Sequence, residues 1–267
     1  KSFWNKIPDK ERQMVVETAL DRTDLSPREL AFEITDEQGW FISESSVYRI
    51  LKERGFIKSP AWILMAASNE FKDKTTYVHQ QWQTDFTYFK IIGWGWYYLS
   101  TIMDDYSRYI ISWELCKNME SADAKRTVGT ALEKTGLSKG QRPRLLSDNG
   151  SCYVSHEFKK FISEENMSHV QGAPYHPQTQ GKIERYHRSM KNVVKLEHYF
   201  FPGELEAKLK EFVDYYNNER YHESLKNVTP ADVYFGRDKE ILHRRRNIKI
   251  QTIKERRKLN SKTKKSA

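Results

Sequence analysis

The chain has 267 residues, 38% hydrophobic and 30% charged, with a formal net charge of +9 at neutral pH. That length holds one core domain of ordinary size plus something smaller, and the lack of any run of 18 or more apolar residues excludes a bilayer-spanning helix. The charge is lopsided: residues 237–267 carry 13 Lys or Arg against 3 acids, while the remainder nets −1, so attraction to a phosphate backbone is expected at the C-terminal end.

Residues 1–57 read as a small helical domain. A first helix runs from Asp9 to about Asp21, with Met14, Val15, Ala19 and Leu20 as an imperfect apolar stripe. Ser26-Pro27-Arg28-Glu29 is a capping box with proline at the first helical position, and Gly39 ends the helix it starts. Ser43 caps a third helix carrying Val47, Ile50 and Leu51, which Gly55 stops. Three short helices with a tight join between the last two suggest a helix-turn-helix. The third would read DNA, with Arg49 and Lys52 among its polar residues and Arg49 suited to a guanine edge. Residues 58–78 are a connector with an apolar cluster at Trp62 to Met65.

A catalytic domain is expected over 79–236. Its first strand alternates Trp82, Thr84, Phe86 and Tyr88 with Gln83, Asp85, Thr87 and Phe89. Asp85 therefore sits in mid-strand, where an acid is unfavourable unless a metal or hydrogen bond compensates it. Gly93-Trp94-Gly95 is a hairpin turn, and strands follow at 96–103 and 108–115. Asp104 and Asp105, between those strands, are rival acids, read as turn residues rather than ligands.

A helix over 122–136, a strand at 143–147, a helix over 158–167 and a short strand at 169–171 complete a mixed sheet with helices on its faces. Asp148 leaves the strand that ends at Ser147, just before the turn-forming Asn149-Gly150. Residues 172–181 read as a flap loop containing Tyr175, His176 and Gln178. The following helix has Ile183, Tyr186, Met190 and Val193 at apolar spacing, while Glu184, Arg188, Lys191 and Lys195 share a neighbouring face. Lys182 adds a cation at its start, and a further helix carries Leu205, Leu209, Phe212, Val213 and Tyr216. The tail of 237–267 holds Ile248, Ile250 and Ile253, enough for one strand or short helix. Cys116 and Cys152, with eight scattered histidines, do not form a zinc module.

Asp85, Asp148 and Glu184, with 35 residues between the last two, resemble the aspartate, aspartate, glutamate triad of retroviral integrases and of bacterial insertion-sequence transposases with an integrase-type core. Ser147-Asp148-Asn149-Gly150, residues 177–181, Gly181-Lys182-Ile183-Glu184 with Lys191, Asn217 to Leu225 and Thr229-Pro230-Ala231 carry the likeness over roughly 78–236. The lack of a zinc module favours the bacterial branch.

The resemblance implies a ribonuclease H-like fold, catalytic and metal-binding roles for Asp85, Asp148 and Glu184, and a DNA contact at Lys191. The expected activity is cutting at element ends and joining of the 3′-OH to a phosphodiester with two Mg²⁺ ions, for which Mn²⁺ can substitute. Lys182, Arg188 and Lys195 join Lys191, Arg49 and Lys52 as expected DNA contacts. Double-stranded element ends and target DNA are the expected partners, with a homodimer or larger assembly on DNA, no membrane, and a bacterial cytoplasmic, nucleoid-associated location. The alternatives are a retroelement-type integrase and a catalytically silent DNA-binding relative.

Overall fold

The structure, a computed structural model, describes residues 5–57, 74–172, 180–194 and 199–263. The chain forms two compact units. One contains the N-terminal helices, Tyr221–Val228 and the chain from Gly236. The other contains the sheet and its flanking helices, including Thr229–Phe235. Among the described residues no helix is long and apolar enough to cross a membrane.

In the helical unit, α1 (Asp9–Asp21), α2 (Pro27–Glu37) and α3 (Glu44–Glu53) follow the expected boundaries. The Ser26 Oγ accepts from the Glu29 backbone N–H at 3.3 Å, and the Glu29 carboxylate accepts from the Ser26 N–H at 3.0 Å. Ser43 Oγ likewise accepts from the Ser46 N–H. Val15, Leu30, Ile34, Ile42, Val47 and Ile50 form the core beneath these helices.

The basic tail is neither a strand nor a short helix: Asp238–Thr263 is one helix of 26 residues, α10 in chain order. It is held in the helical unit through polar anchors. Arg245 donates to Asp36, Thr252 Oγ1 accepts from the Phe41 N–H, and Arg256 reaches Glu11 and the Phe41 carbonyl. Burial through Arg and Thr leaves no apolar stripe, so periodicity could not reveal it. Good helix formers (Lys, Arg, Glu, Gln, Leu) then keep it continuous.

In the second unit, β1 (Gln81–Ile91), β2 (Gly95–Asp104), β3 (Ile110–Cys116), β4 (Arg144–Ser147) and β5 (His169–Gln171) make a sheet of order β3-β2-β1-β4-β5. β1, β2 and β3 pair antiparallel, while β4 pairs parallel with both β1 and β5. Gly93 and Gly95 take φ of +84° and +91° at the hairpin, a conformation that only glycine adopts readily. On one face α4 (Ser121–Thr135), α5 (Ser151–Val154) and α6 (His156–Glu164) cover Trp82, Ile102 and Leu145. On the other, α7 (Gly181–Val194) and α8 (Pro202–Asn218) cover Phe89, Ile91, Leu99 and Met103. α9 (Pro230–Tyr234) is capped by Thr229, whose Oγ1 accepts from the Asp232 N–H. The fold is the ribonuclease H-like mixed sheet expected from the sequence.

Candidate active site

The register of the parallel pair places the first two acids. Gln83 stands opposite Leu146, so two residues further along each chain Asp85 comes level with Asp148. Adjacent strands lie about 4.8 Å apart. Asp85 is on the face covered by α7, because Gln83, Thr87 and Phe89 alternate with it on that side. Asp148 Oδ1 accepts from the Gly150 N–H at 2.9 Å, a turn bond that orients the carboxylate at the strand exit. Burial pushes the Asp148 carboxyl up, the Gly150 bond opposes this, and the nearby Asp85 charge raises it further.

Glu184 lies in the first turn of α7, whose start is fixed on β1. Gln83 Oε1 accepts from the Ile183 N–H at 3.2 Å, and Gln180 Nε2 donates to the Thr84 carbonyl at 3.3 Å. With Ile183, Tyr186, Met190 and Val194 buried, Glu184 turns to an open pocket that it lines with Asp85, Thr87, His187, Arg188 and Lys191. The apolar stripe ends on Val194, with Val193 exposed, so the helix is rotated slightly from its expected phase.

Four of the expected residues, Asp85, Glu184, Arg188 and Lys191, therefore share one pocket, and Asp148 stands close enough to Asp85 to feel its charge. Lys182 is turned elsewhere. Its Nζ lies 2.5 Å from Asp105 Oδ2 and also reaches the Asp105 carbonyl, a mostly buried ion pair. Lys195, Tyr175, His176 and Gln178 lie outside the described residues. Arg49 and Lys52 are exposed on α3, opposite buried Val47, Ile50 and Leu51.

The rival acids have structural duties. Asp104 accepts from the Ser107 N–H and hydroxyl and from the His79 N–H, which fixes the β2–β3 turn. Burial pushes the Asp105 carboxyl up, but the Lys182 ammonium, the Thr75 hydroxyl and Arg108 outweigh it and hold the group below the usual aspartate value. A depressed carboxyl pKa contributes stability that is present above the unfolded value near 3.9 and is lost as pH falls through the folded value. Lys182→Met should therefore move the acid-unfolding midpoint, followed by tryptophan fluorescence, to higher pH; an unchanged midpoint would show that the pair does not stabilise the core.

His187 was not among the residues expected from the sequence. It is buried, with Nδ1 3.2 Å from Asp85 Oδ2 and Nε2 3.3 Å from Thr101 Oγ1. Its position three residues after Glu184 was the available signal, since i and i+3 share a helix face. A group that fixes a carboxylate from behind is a positioning residue. His187→Ala should lower any Asp85-dependent activity by about 10- to 100-fold, with little change in DNA affinity; a rate equal to wild type in single-turnover assays would remove His187 from the site.

The acids supply the oxygen donors a hard divalent cation takes, and the mutual repulsion of Asp85 and Asp148 is what such a cation would relieve. Among the described residues, however, no three His, Cys, Asp or Glu side chains come close enough to hold one ion together. Cys116 and Cys152 are both buried and unpaired, so no thiolate competes for this role; burial pushes their thiols up to about 12 and about 11.

The unit built on this sheet is thus a catalytic core of the ribonuclease H-like class, with acids inside β1, just past the end of β4 and on α7. Two family models described as "Integrase core domain" match residues 76–177 and 165–230. Residues 76–230 are an integrase-type catalytic core.

Over 114 residues the chain is 31% identical to the Gag-Pro-Pol polyprotein of simian retrovirus SRV-2, a match covering 43% of this chain and 6% of the polyprotein. It is 34% identical over 113 residues to the Pol-related polyprotein of mouse intracisternal A-particle MIA14, covering 42% of this chain and 12% of that one. The chain thus spans only a small part of these relatives' length. A simian T-cell lymphotropic virus intasome, solved in complex with PP2A regulatory subunit B56 gamma, shares the fold over 82% of this chain and 74% of its own, with 19% identity and a TM-score of 0.53. The HTLV-2 integrase catalytic core domain, solved in complex with magnesium, aligns over 59% of this chain and 97% of its own, with 20% identity and a TM-score of 0.48.

These matches correct the expected lineage. The bacterial insertion-sequence branch and the nucleoid-associated bacterial location both give way to the retroviral and retroelement type of integrase core. The physical reason is that both branches fix the same three acids on the same sheet and helix, so the triad spacing cannot separate them. The choice of branch rested instead on a missing zinc module, a feature outside the core.

Proposed function

We propose that this chain is a retroelement-type integrase that cuts DNA at element ends and joins the exposed 3′-OH to a target phosphodiester. The observation that carries the reading is the placement of Asp85 level with Asp148, while Glu184 faces Asp85 across a pocket flanked by Arg188 and Lys191. Phosphodiesters are anionic and resist attack, so catalysis needs positive charge at the reacting phosphate and a hydroxyl held in line.

Asp85, Asp148 and Glu184 would hold two Mg²⁺ ions, or Mn²⁺ in their place, which when bound activate the attacking hydroxyl and stabilise the departing oxygen. The other side chains position. His187, itself held by Thr101, braces Asp85 from behind, Gln83 and Gln180 fix the start of α7, and Arg188 and Lys191 draw the phosphate backbone toward the acids.

Residues 1–57 would recognise double-stranded element ends through Arg49 and Lys52 on α3, and cations of α10 that are not committed to Asp36 and Glu11 would add backbone attraction. Joining requires two DNA segments to be held at once, so a dimer or larger assembly on DNA is part of the proposal. The test is to incubate the full chain with end-labelled duplexes of candidate element ends and Mg²⁺, then map the products. Strand-joined products with new phosphodiester bonds support the reading; nicks without any joining would reduce the protein to a nuclease and overturn it.

A further inference from the structure

Just beyond the acidic pocket, the hairpin of β1 and β2 exposes aromatic rings that no core requires. Tyr88 and Trp96 are 55% and 50% exposed, and their rings meet edge to face with centroids 5.4 Å apart. Exposing such large rings is costly in water unless something covers them. Cations flank both: Lys191 Nζ lies 4.4 Å from the Tyr88 ring centre and Lys90 Nζ 5.7 Å from that of Trp96. The hairpin tip is braced rather than loose, since Trp94 Nε1 donates to the Phe200 carbonyl at 2.9 Å and its ring packs edge-on to Phe201.

Position ties this patch to the acids. Lys191 also lines the pocket of Asp85 and Glu184. Tyr88, three residues along β1 and about 10 Å from Asp85 at the rise of a strand, points to the opposite face of the sheet, and Lys191 of the pocket is what joins the two by reaching its ring. β4 pairs with β1 only from Gln81 to Gln83, so it does not wall off this length of β1. Aromatic faces interleaved with lysines bind unpaired nucleic acid: the rings stack on bases and the ammonium groups meet phosphates.

We propose that Tyr88 and Trp96, flanked by Lys90 and Lys191, form a stacking platform for unpaired bases of the DNA strand whose phosphate enters the Asp85–Glu184 pocket. The inference deepens the integrase reading and rests on it for the direction of the strand. Its occupant is single-stranded DNA beside a cut or frayed end. Charge selects for it: positive groups stand beside both rings, and a DNA strand supplies base faces for the rings and phosphates for the positive charge.

The experiment uses the full chain and two oligonucleotide probes, a blunt duplex and the same duplex with a short single-stranded overhang carrying 2-aminopurine, titrated without divalent cation so that no cutting occurs. The wild type should prefer the overhang and quench the 2-aminopurine. Tyr88→Ala and Trp96→Ala should each weaken overhang binding by about 5- to 100-fold, the range for losing one stacked base, and abolish the quenching, while Tyr88→Phe and Trp96→Phe keep both. Circular dichroism of each variant separates this loss from misfolding.

Undiminished overhang preference in a folded alanine variant overturns the platform, as does a wild type that binds both probes equally. So does a shift in oligomeric state with unchanged overhang binding, which would assign the patch to a second copy of the chain. Because this readout is binding without metal, its failure is distinct from a failure of strand joining.

Discussion

Asp85→Asn, Asp148→Asn and Glu184→Gln are each expected to reduce DNA cutting and joining by more than about a hundredfold, beyond the loss typical of removing a group behind a metal ligand. Each swap keeps the shape of the side chain and removes one negative charge. The fold and most DNA affinity should persist, since Asp85 and Glu184 face an open pocket and Asp148 orients only its own turn. Asp148→Asn should also release the repulsion from Asp85 that raises the Asp148 carboxyl. That variant should therefore be no less stable than wild type at neutral pH in urea titration. Activity within tenfold of wild type for any one of the three would remove that residue from the site.

The largest expected effect on stability lies in the other unit. Arg245 and Asp36 are both nearly buried, with Nη2 to Oδ2 at 2.5 Å. The same guanidinium donates to the carbonyls of Lys226 and Asn227 and lies over the rings of Phe32 and Tyr221. Removing one member of a buried pair strands the other charge, so Arg245→Ala should cost about 3–5 kcal/mol in the helical unit. Replacing both, as Arg245→Met with Asp36→Leu, should recover much of that loss because no charge is left buried. Thermal melts of the full chain followed at the far-UV helix signal would measure it. A cost for Arg245→Ala of about 1 kcal/mol or less, typical of exposed pairs, would mean that solvent screens the contact.

The sheet was legible because β1 alternates, the other strands are short apolar runs, and the turns carry Gly93, Gly95 and Asn149-Gly150. Asp85 stood out for the same reason: period two fixes its face, and that face proved to be the one under α7. What sequence could not provide was partnership across long separations. Lys182 reads as a DNA contact at a helix start, and nothing in the sequence links it to Asp105, 77 residues away. His187 goes unread until β1 brings Asp85 to its ring. α10 was under-read because its anchors are arginines whose acids, Asp36 and Glu11, lie more than 200 positions earlier. The Tyr88–Trp96 pair was visible as two strand aromatics, but its exposure depends on where α7 and the flanking helices stop covering the sheet.

The central proposal is that Asp85, Asp148 and Glu184 draw together around bound divalent cations, since among the described residues no three such side chains stand close enough to hold one ion as they are. Mn²⁺ binding to the full chain, followed by loss of the free-ion paramagnetic resonance signal, tests it most directly. The account predicts saturable binding by the wild type that Mg²⁺ competes away and that each of Asp85→Asn, Asp148→Asn and Glu184→Gln weakens by at least about tenfold. Binding by all three variants equal to that of the wild type would contradict it.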